Sequence, residues 1–388
     1  MQVRALANRA STPTLKRGLA LAGVLTVALG LGACSNLGYY AQSANGHIRL
    51  LAAAKPVEDW LQDPATSDAL KAKLQLAQRL RQFAVTELAL PDNDSYRRYA
   101  DLKRSHVVWN VVAAPAYSLN LKTWCFPVAG CVSYQGFFDE QQAREQALAL
   151  QAEGWEVTVY GVPAYSTLGW LNWLGGDPLL NTFIHYSEAD LARLIFHELA
   201  HSVVYVADDS MFNESFATAV ERLGGARWME RHASEGARAQ QRQWDARRAQ
   251  FRALTLQTRR ELQAVYSRHA LVYPGAVQTG GASLTPELAT QKAAAMQRFR
   301  NAYGALRADW GGYSGYDAWV ASANNAVFAA QGTYDDLVPG FMALFEREGR
   351  EWPRFFAAVK GLAVLPKADR QRLLSAPPVP ASPSRAPC

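Results

Sequence analysis

The chain has 388 residues, of which 49% are hydrophobic, 19% charged and 11% aromatic, and its formal net charge is +6. That composition is too apolar for intrinsic disorder, its four cysteines are too few for a disulfide scaffold, and it carries neither a collagen nor a heptad period. A globular protein remains.

The basic excess is uneven. Arg4, Arg9, Lys16 and Arg17 fall in the first 33 residues, which contain no acid; without them 36 basic residues face 34 acidic ones. A near-neutral remainder gives no footprint for nucleic acid.

Residues 1–33 read as an export signal. Lys16 and Arg17 precede an apolar run from Gly18 to Gly32, about 15 residues long and short of the ~20 needed to span a bilayer. Leu31-Gly32-Ala33-Cys34 resembles a bacterial lipobox, which makes Cys34 the expected lipidated N-terminus and the membrane a partner through that lipid. Ser35 after it, rather than Asp, points to the periplasmic face of the outer membrane. Residues 34–105 are expected to form a tether and helices, with helical patterns at His47–Leu61 and Ser67–Leu88.

From His106 the texture becomes β-branched and aromatic. HVVWNVVAAPAYSL, LKTWCF and CVSYQGFF, separated by turn formers, predict successive strands of an antiparallel meander. Cys125 and Cys131 enclose FPVAG and are candidates for a local disulfide in an oxidising compartment; they lack the spacing and neighbours of a zinc pair. A helix over Glu140–Glu153 and a strand over Trp155–Val162 come next. Two consecutive helices are predicted at Glu188 to about Val206 and Met211 to about Leu223.

Glu235–Ser267 reads as a long polar helix carrying Arg238, Arg242, Arg247, Arg248, Arg252, Arg259 and Arg260. It reads as a solvated face whose Arg stems cover core neighbours, in preference to a polyanion surface. Further helices are expected at Pro286–Asn301, Tyr316–Ala330, Tyr334–Glu348 and Trp352–Leu362, and residues 373–388 as a disordered Pro- and Ser-rich tail. Asn324 and Asn325 either line a cleft or bond within the core.

The chemistry lies in His197-Glu198-Leu199-Ala200-His201. Two imidazoles four residues apart share one helix face and can bind one tetrahedral zinc, with Glu198 beside them as general base. With seven histidines in the chain, chance H-E-x-x-H matches are on the order of 0.01. Ser187-Glu188-Ala189-Asp190 supplies a capping box for that helix. Glu214, in Asn213-Glu214-Ser215-Phe216-Ala217 on the next helix, is the expected third ligand; an antiparallel pair brings it level with His201. Asp208 falls in the turn and is the weaker rival. Val204 and Ala207 stand where a metzincin needs Gly and His, which excludes that class.

HELAH followed by NESFA resembles the gluzincin peptidases. Together with YSTLGW (Tyr165 to Trp170), DPLLN (Asp177 to Asn181) and TWCFPVAGCVSYQGFF (Thr123 to Phe138), it is similar to a family of bacterial lipoproteins described as predicted aminopeptidases, over roughly His106 to Leu344. The resemblance implies an α+β, zincin-like domain over residues 106–372: an antiparallel sheet packed on the HExxH helix, with a mostly helical C-terminal part. It also implies one zinc ion and a peptide substrate. The G-x-M-E-N strand that holds a substrate amine in many gluzincin aminopeptidases is absent from the sequence.

A tyrosine or histidine donor to the reacting carbonyl oxygen is implied as well, with Tyr165, Tyr313, Tyr316 and Tyr334 as candidates and His185 better read as ordinary packing. An edge strand within Cys131–Phe138 or Trp155–Tyr165 could pair with the peptide. The competing reading is a non-catalytic zinc-binding envelope lipoprotein, which has no use for Glu198. The sequence leaves the oligomeric state open.

Overall fold

The computed structural model describes residues 39, 42–126, 130–164, 176–272, 286–331 and 337–375. The chain divides into two compact units, Met1–Arg49 and Leu50–Cys388. In the first unit the described residues, 39 and 42–49, are helical.

The second unit contains, in chain order, α1 (residues 50–53), β1 (Lys55–Pro56), α2 (Val57–Gln62), α3 (Asp68–Leu88), β2 (Arg98–Ala100), β3 (Val108–Pro115), β4 (Trp124–Phe126), β5 (Gly130–Val132), β6 (Gln135–Phe137), α4 (Glu140–Ala152), β7 (Trp155–Val162) and β8 (Leu179–Leu180). The rest is helical: α5 (Glu188–Ala200), α6 (Ser210–His232), α7 (Glu235–Val272), α8 (Pro286–Asp309), α9 (Asp317–Ala321), α10 (Asn325–Gln331), α11 (Val338–Arg347), α12 (Trp352–Ala363) and α13 (Lys367–Ser375). The fold is mixed α+β and mostly helical. Among the described residues no helix is long and apolar enough to cross a membrane.

The predicted meander is replaced by three small sheets. β3 is central in the order β6-β3-β7, antiparallel to both neighbours. β4 and β5 pair only with each other, closed by the Cys125–Cys131 disulfide. The CVSYQGFF segment therefore splits between two sheets. A third sheet, β1-β2-β8, is built from strands of two or three residues, too short to leave a period in the sequence.

β3 is buried along nearly its whole length because helices cover both its faces. Those helices are chiefly α4 and α10; the HExxH helix packs instead on α6 and α3. That corrects the expected packing. Only the end of the sheet, at Val107, Val108 and Val162, enters the core that holds α5.

That main core joins α3, α5, α6, α11 and α12. Phe216 of α6 packs on Phe341, Phe355 and Phe356, with ring centroids 5.7, 5.9 and 6.1 Å away. Burying such side chains contributes about 1.5–3 kcal/mol each. A second core around Phe251, Phe299, Tyr303, Trp319 and Phe328 belongs to α7–α10.

The single helix predicted over Tyr316–Ala330 breaks between α9 and α10. At the break the Asn324 amide donates to the Val157 carbonyl of β7 (2.9 Å), and its oxygen accepts from Val327 N (3.1 Å). Asn325, fully buried, donates to the carbonyls of Pro115 (3.0 Å) and Ala116 (2.8 Å) and accepts from the Tyr266 hydroxyl (2.8 Å). The amide pair thus bonds α10 to the sheet. α13 continues to Ser375, inside the segment expected as tail.

The arginines of α7 behave as its solvated-face reading expects, with several tied down within the molecule. Arg238 and Arg242 pair with Glu235, and Arg248 with Asp190 and Asp245.

Candidate metal centre

α5 begins where its sequence says it should. The Ser187 hydroxyl accepts from Asp190 N (3.1 Å) and donates to the Asp190 carboxylate (2.8 Å). Leu191, Ile195, Phe196 and Leu199 fill its buried face. The helix ends five residues or more before the predicted Val206: His201 is its C-cap. Beyond it the chain tightens through Ser202 N to Leu199 O (3.1 Å) and Val203 N to Ala200 O (2.9 Å). Asn213 then clamps the turn, accepting from Val206 N (2.9 Å) and donating to Val206 O (2.8 Å).

α6 starts at an N-cap, Asp209, that is almost wholly buried and bound by Arg370 of α13 through Nε (3.0 Å) and Nη2 (2.7 Å). It runs past the predicted end at Leu223, because Gly224 and Gly225 serve close packing here and not helix termination. A Cβ on Gly224 would lie 2.7 Å from Leu88 Cδ1 and 3.0 Å from Phe196 Cδ2; one on Gly225 would lie 2.9 Å from Arg193 Cγ. The missing side chains let α5 and α6 approach.

This approach brings His197, His201 and Glu214 together, with one ligand atom from each inside 4.8 Å of the others. His197 Nε2 is 3.3 Å and His201 Nε2 3.8 Å from Glu214 Oε2. Atoms bound about 2.1 Å from one tetrahedral zinc stand about 3.4 Å apart, so these residues fit the ion. The chemistry of the set agrees. His197 Nδ1 faces Glu221 Oε2 at 3.1 Å; with its proton there, Nε2 turns a lone pair toward the Glu214 carboxylate. Two acceptors so close call for a cation.

Without an ion, a proton on His197 is what relieves those acceptors. Burial works against charge on His197, yet its hydrogen bonds to Glu214 and Glu221 hold its pKa well above the ordinary value. Burial and the neighbouring His197 push His201 down to about 4, leaving a neutral imidazole. Burial pulls Glu214 upward, but the His197 hydrogen bond outweighs it and the carboxyl stays below its usual value.

Asp208, the rival ligand, is turned away. With φ of 59° it accepts from Cys131 N (3.3 Å) through its side chain and from Lys367 Nζ (2.9 Å) through its carbonyl. The disulfide hairpin and α13 thus brace the turn between the two ligand helices.

Glu198 lines an open trough with His197 and Glu221. Its charge reaches buried Tyr96, whose hydroxyl is pushed up first by burial and then by Glu198 and Asp177. Among the tyrosine candidates, Tyr165 and Tyr334 lie outside the described residues, as does Cys34. Tyr313 and Tyr316 line a smaller adjoining cavity with Arg247 and Trp244.

Two residues had escaped the sequence reading. Glu221 sits seven residues after Glu214, two turns along the same helix face, a spacing that could have flagged it. Tyr160, on edge strand β7, is raised in pKa by burial and also feels Glu214. Its cross-strand partner is Asn110, whose amide lies 3.4 Å from the Tyr160 oxygen. Gly136, opposite Asn110 on the other side, leaves that amide room: a Cβ there would come within 3.2 Å of Asn110 Oδ1.

No curated protein and no solved structure matches the chain. A family model does, over residues 38–374. With that match spanning both ligand helices, the chain belongs to the family described as "Putative aminopeptidase".

Proposed function

We propose that this protein is an exported, lipid-anchored zinc aminopeptidase of the gluzincin type, tethered through Cys34 at the periplasmic face of the outer membrane. The observation that carries the reading is the convergence of His197, His201 and Glu214 at zinc-like separations, with Glu198 next to His197 and lining one trough with it. The lipobox-like Leu31-Gly32-Ala33-Cys34 supports the anchor.

His197, His201 and Glu214 would hold the ion, which when bound supplies Lewis-acid polarisation of the scissile carbonyl and of water. Glu198 takes the proton of the attacking water and delivers it to the leaving amine. Glu221 accepts the Nδ1 proton of His197 and so fixes which nitrogen faces the ion. Tyr160 donates its O–H to the carbonyl oxygen as charge develops; Asn110, bonding the hydroxyl oxygen, leaves that proton free to donate. The outer edge of β7 offers main-chain groups to the peptide.

Metal analysis of the purified mature protein, combined with hydrolysis of matched peptides bearing free or blocked N-termini, tests the proposal. One zinc per chain and cleavage of free N-termini alone are expected. Equal cleavage of blocked peptides would remove the aminopeptidase assignment, and a protein without zinc that still hydrolyses would remove the metal mechanism.

A further inference from the structure

The face of α5 that carries His197 and Glu198 continues toward its N-cap as an open trough of about 480 Å³. Asp190, Leu194, His197 and Glu198 line one side at helical spacing, and Tyr186 and Trp244 contribute aromatic walls. A smaller cavity of about 180 Å³ shares Asp190 and Trp244 and ends on Tyr313 and Tyr316.

The charges along the trough are already matched to each other. Arg193 holds Asp245 through two bonds of 2.7 and 2.8 Å, and Arg248 bonds Asp190 (2.9 Å) and Asp245 (3.3 Å). A charged ligand would have to displace those partners. The aromatic surface is different: the Trp244 indole makes no ring contact or hydrogen bond with another described residue, and Tyr186 is 37% exposed. An indole that stacks on no other described ring, in the same trough as Glu198, is a platform for another flat apolar group.

Position decides which substrate residue lies there. His201 and Glu214 do not line the trough, whereas Glu198 does. The leaving nitrogen must come within hydrogen-bond reach of Glu198 to collect its proton, so the chain departs from the scissile bond over α5. We infer that the trough binds the side chain of the residue following the scissile bond and selects large aromatic ones, with Trp244 as the stacking surface. This inference rests on the peptidase reading above.

The test uses the purified mature zinc protein and two peptides with free N-termini that differ only in the second residue, Phe or Gly. The ratio of their kcat/KM values is the readout. Wild type is expected to favour Phe by about tenfold or more, Trp244→Ala to lower that ratio to within about twofold of one, and Trp244→Phe to keep most of it. Equal turnover of both peptides by wild type, or an unchanged ratio in Trp244→Ala, overturns the trough's role and leaves the peptidase reading standing. Should Trp244→Ala not fold, an unchanged ratio in Trp244→Arg overturns it equally. No hydrolysis of either peptide by the zinc-loaded wild type overturns both.

Discussion

Two of the buried polar clusters among the described residues are built on opposite principles. Around Asn325 every donor meets an acceptor: its NH2 bonds the carbonyls of Pro115 and Ala116, its oxygen takes the Tyr266 hydroxyl, and its backbone N–H bonds Glu156 (2.7 Å). Around Glu214 two imidazole nitrogens and a carboxylate oxygen converge, acceptors toward one another unless a proton lies on His197 Nε2. The first cluster is complete and holds α10 on the sheet. The second has no built-in donor of its own, as a cation site would, and a proton or a metal ion can relieve its converging lone pairs. Matched polarity thus marks structure, and unmatched polarity marks chemistry.

The sharpest way to break that contrast acts on the chemistry without touching the ligands. Glu198→Gln keeps shape and removes the base, so hydrolysis should fall about 10²- to 10⁴-fold while one zinc per chain is retained. Unchanged turnover, read by peptide hydrolysis with metal analysis on the same sample, would end the general-base role. Tyr160→Phe is expected to lower kcat about 10²- to 10³-fold, the usual cost of one lost donor to a developing oxyanion, with KM little changed. If kcat is unaffected, the donor is another group.

How much of this was legible beforehand depends on the range of the forces involved. The cap at Ser187, the i,i+4 histidines and Glu214 are local patterns, and each is readable from neighbours within a turn or two. The end of α5 is not, since Val203, Val204 and Val206 continue an apolar pattern and the residue that fixes the turn, Asn213, acts from the next helix. Gly224 and Gly225 look like a stop until the partners at Leu88, Phe196 and Arg193 are in place. The sheet order was hidden because β3 pairs with β7 across an intervening helix and hairpin. Tyr160 stood in a predicted strand, but only the register sets it beside Asn110.

The matched cluster predicts a stability effect in place of a catalytic one. Asn325→Ala removes three side-chain hydrogen bonds and strands the buried Tyr266 hydroxyl, which should cost about 2–4 kcal/mol by denaturant unfolding. Zinc affinity of the folded fraction should be unaltered. A loss of zinc with no loss of stability would mean that the two clusters are not separate in function.

Glu221 is the smallest perturbation and the most discriminating, because it lies at the boundary between the two principles. It accepts a hydrogen bond, as a structural group does, but the group it fixes is a candidate ligand. Glu221→Ala leaves His197 Nδ1 without its acceptor and lets the ring choose either tautomer, so zinc affinity should drop about 10- to 100-fold by chelator competition. Glu221→Gln retains an acceptor oxygen but not the negative charge, and should fall between the two. Metal-free stability, measured alongside by denaturant unfolding, separates loss of that bond in folding from loss of zinc binding. Wild-type affinity in Glu221→Ala would reduce the His197–Glu221 bond to packing. A graded loss from Glu through Gln to Ala, at constant metal-free stability, would show that the unmatched centre depends on a matched bond behind it to aim its lone pair.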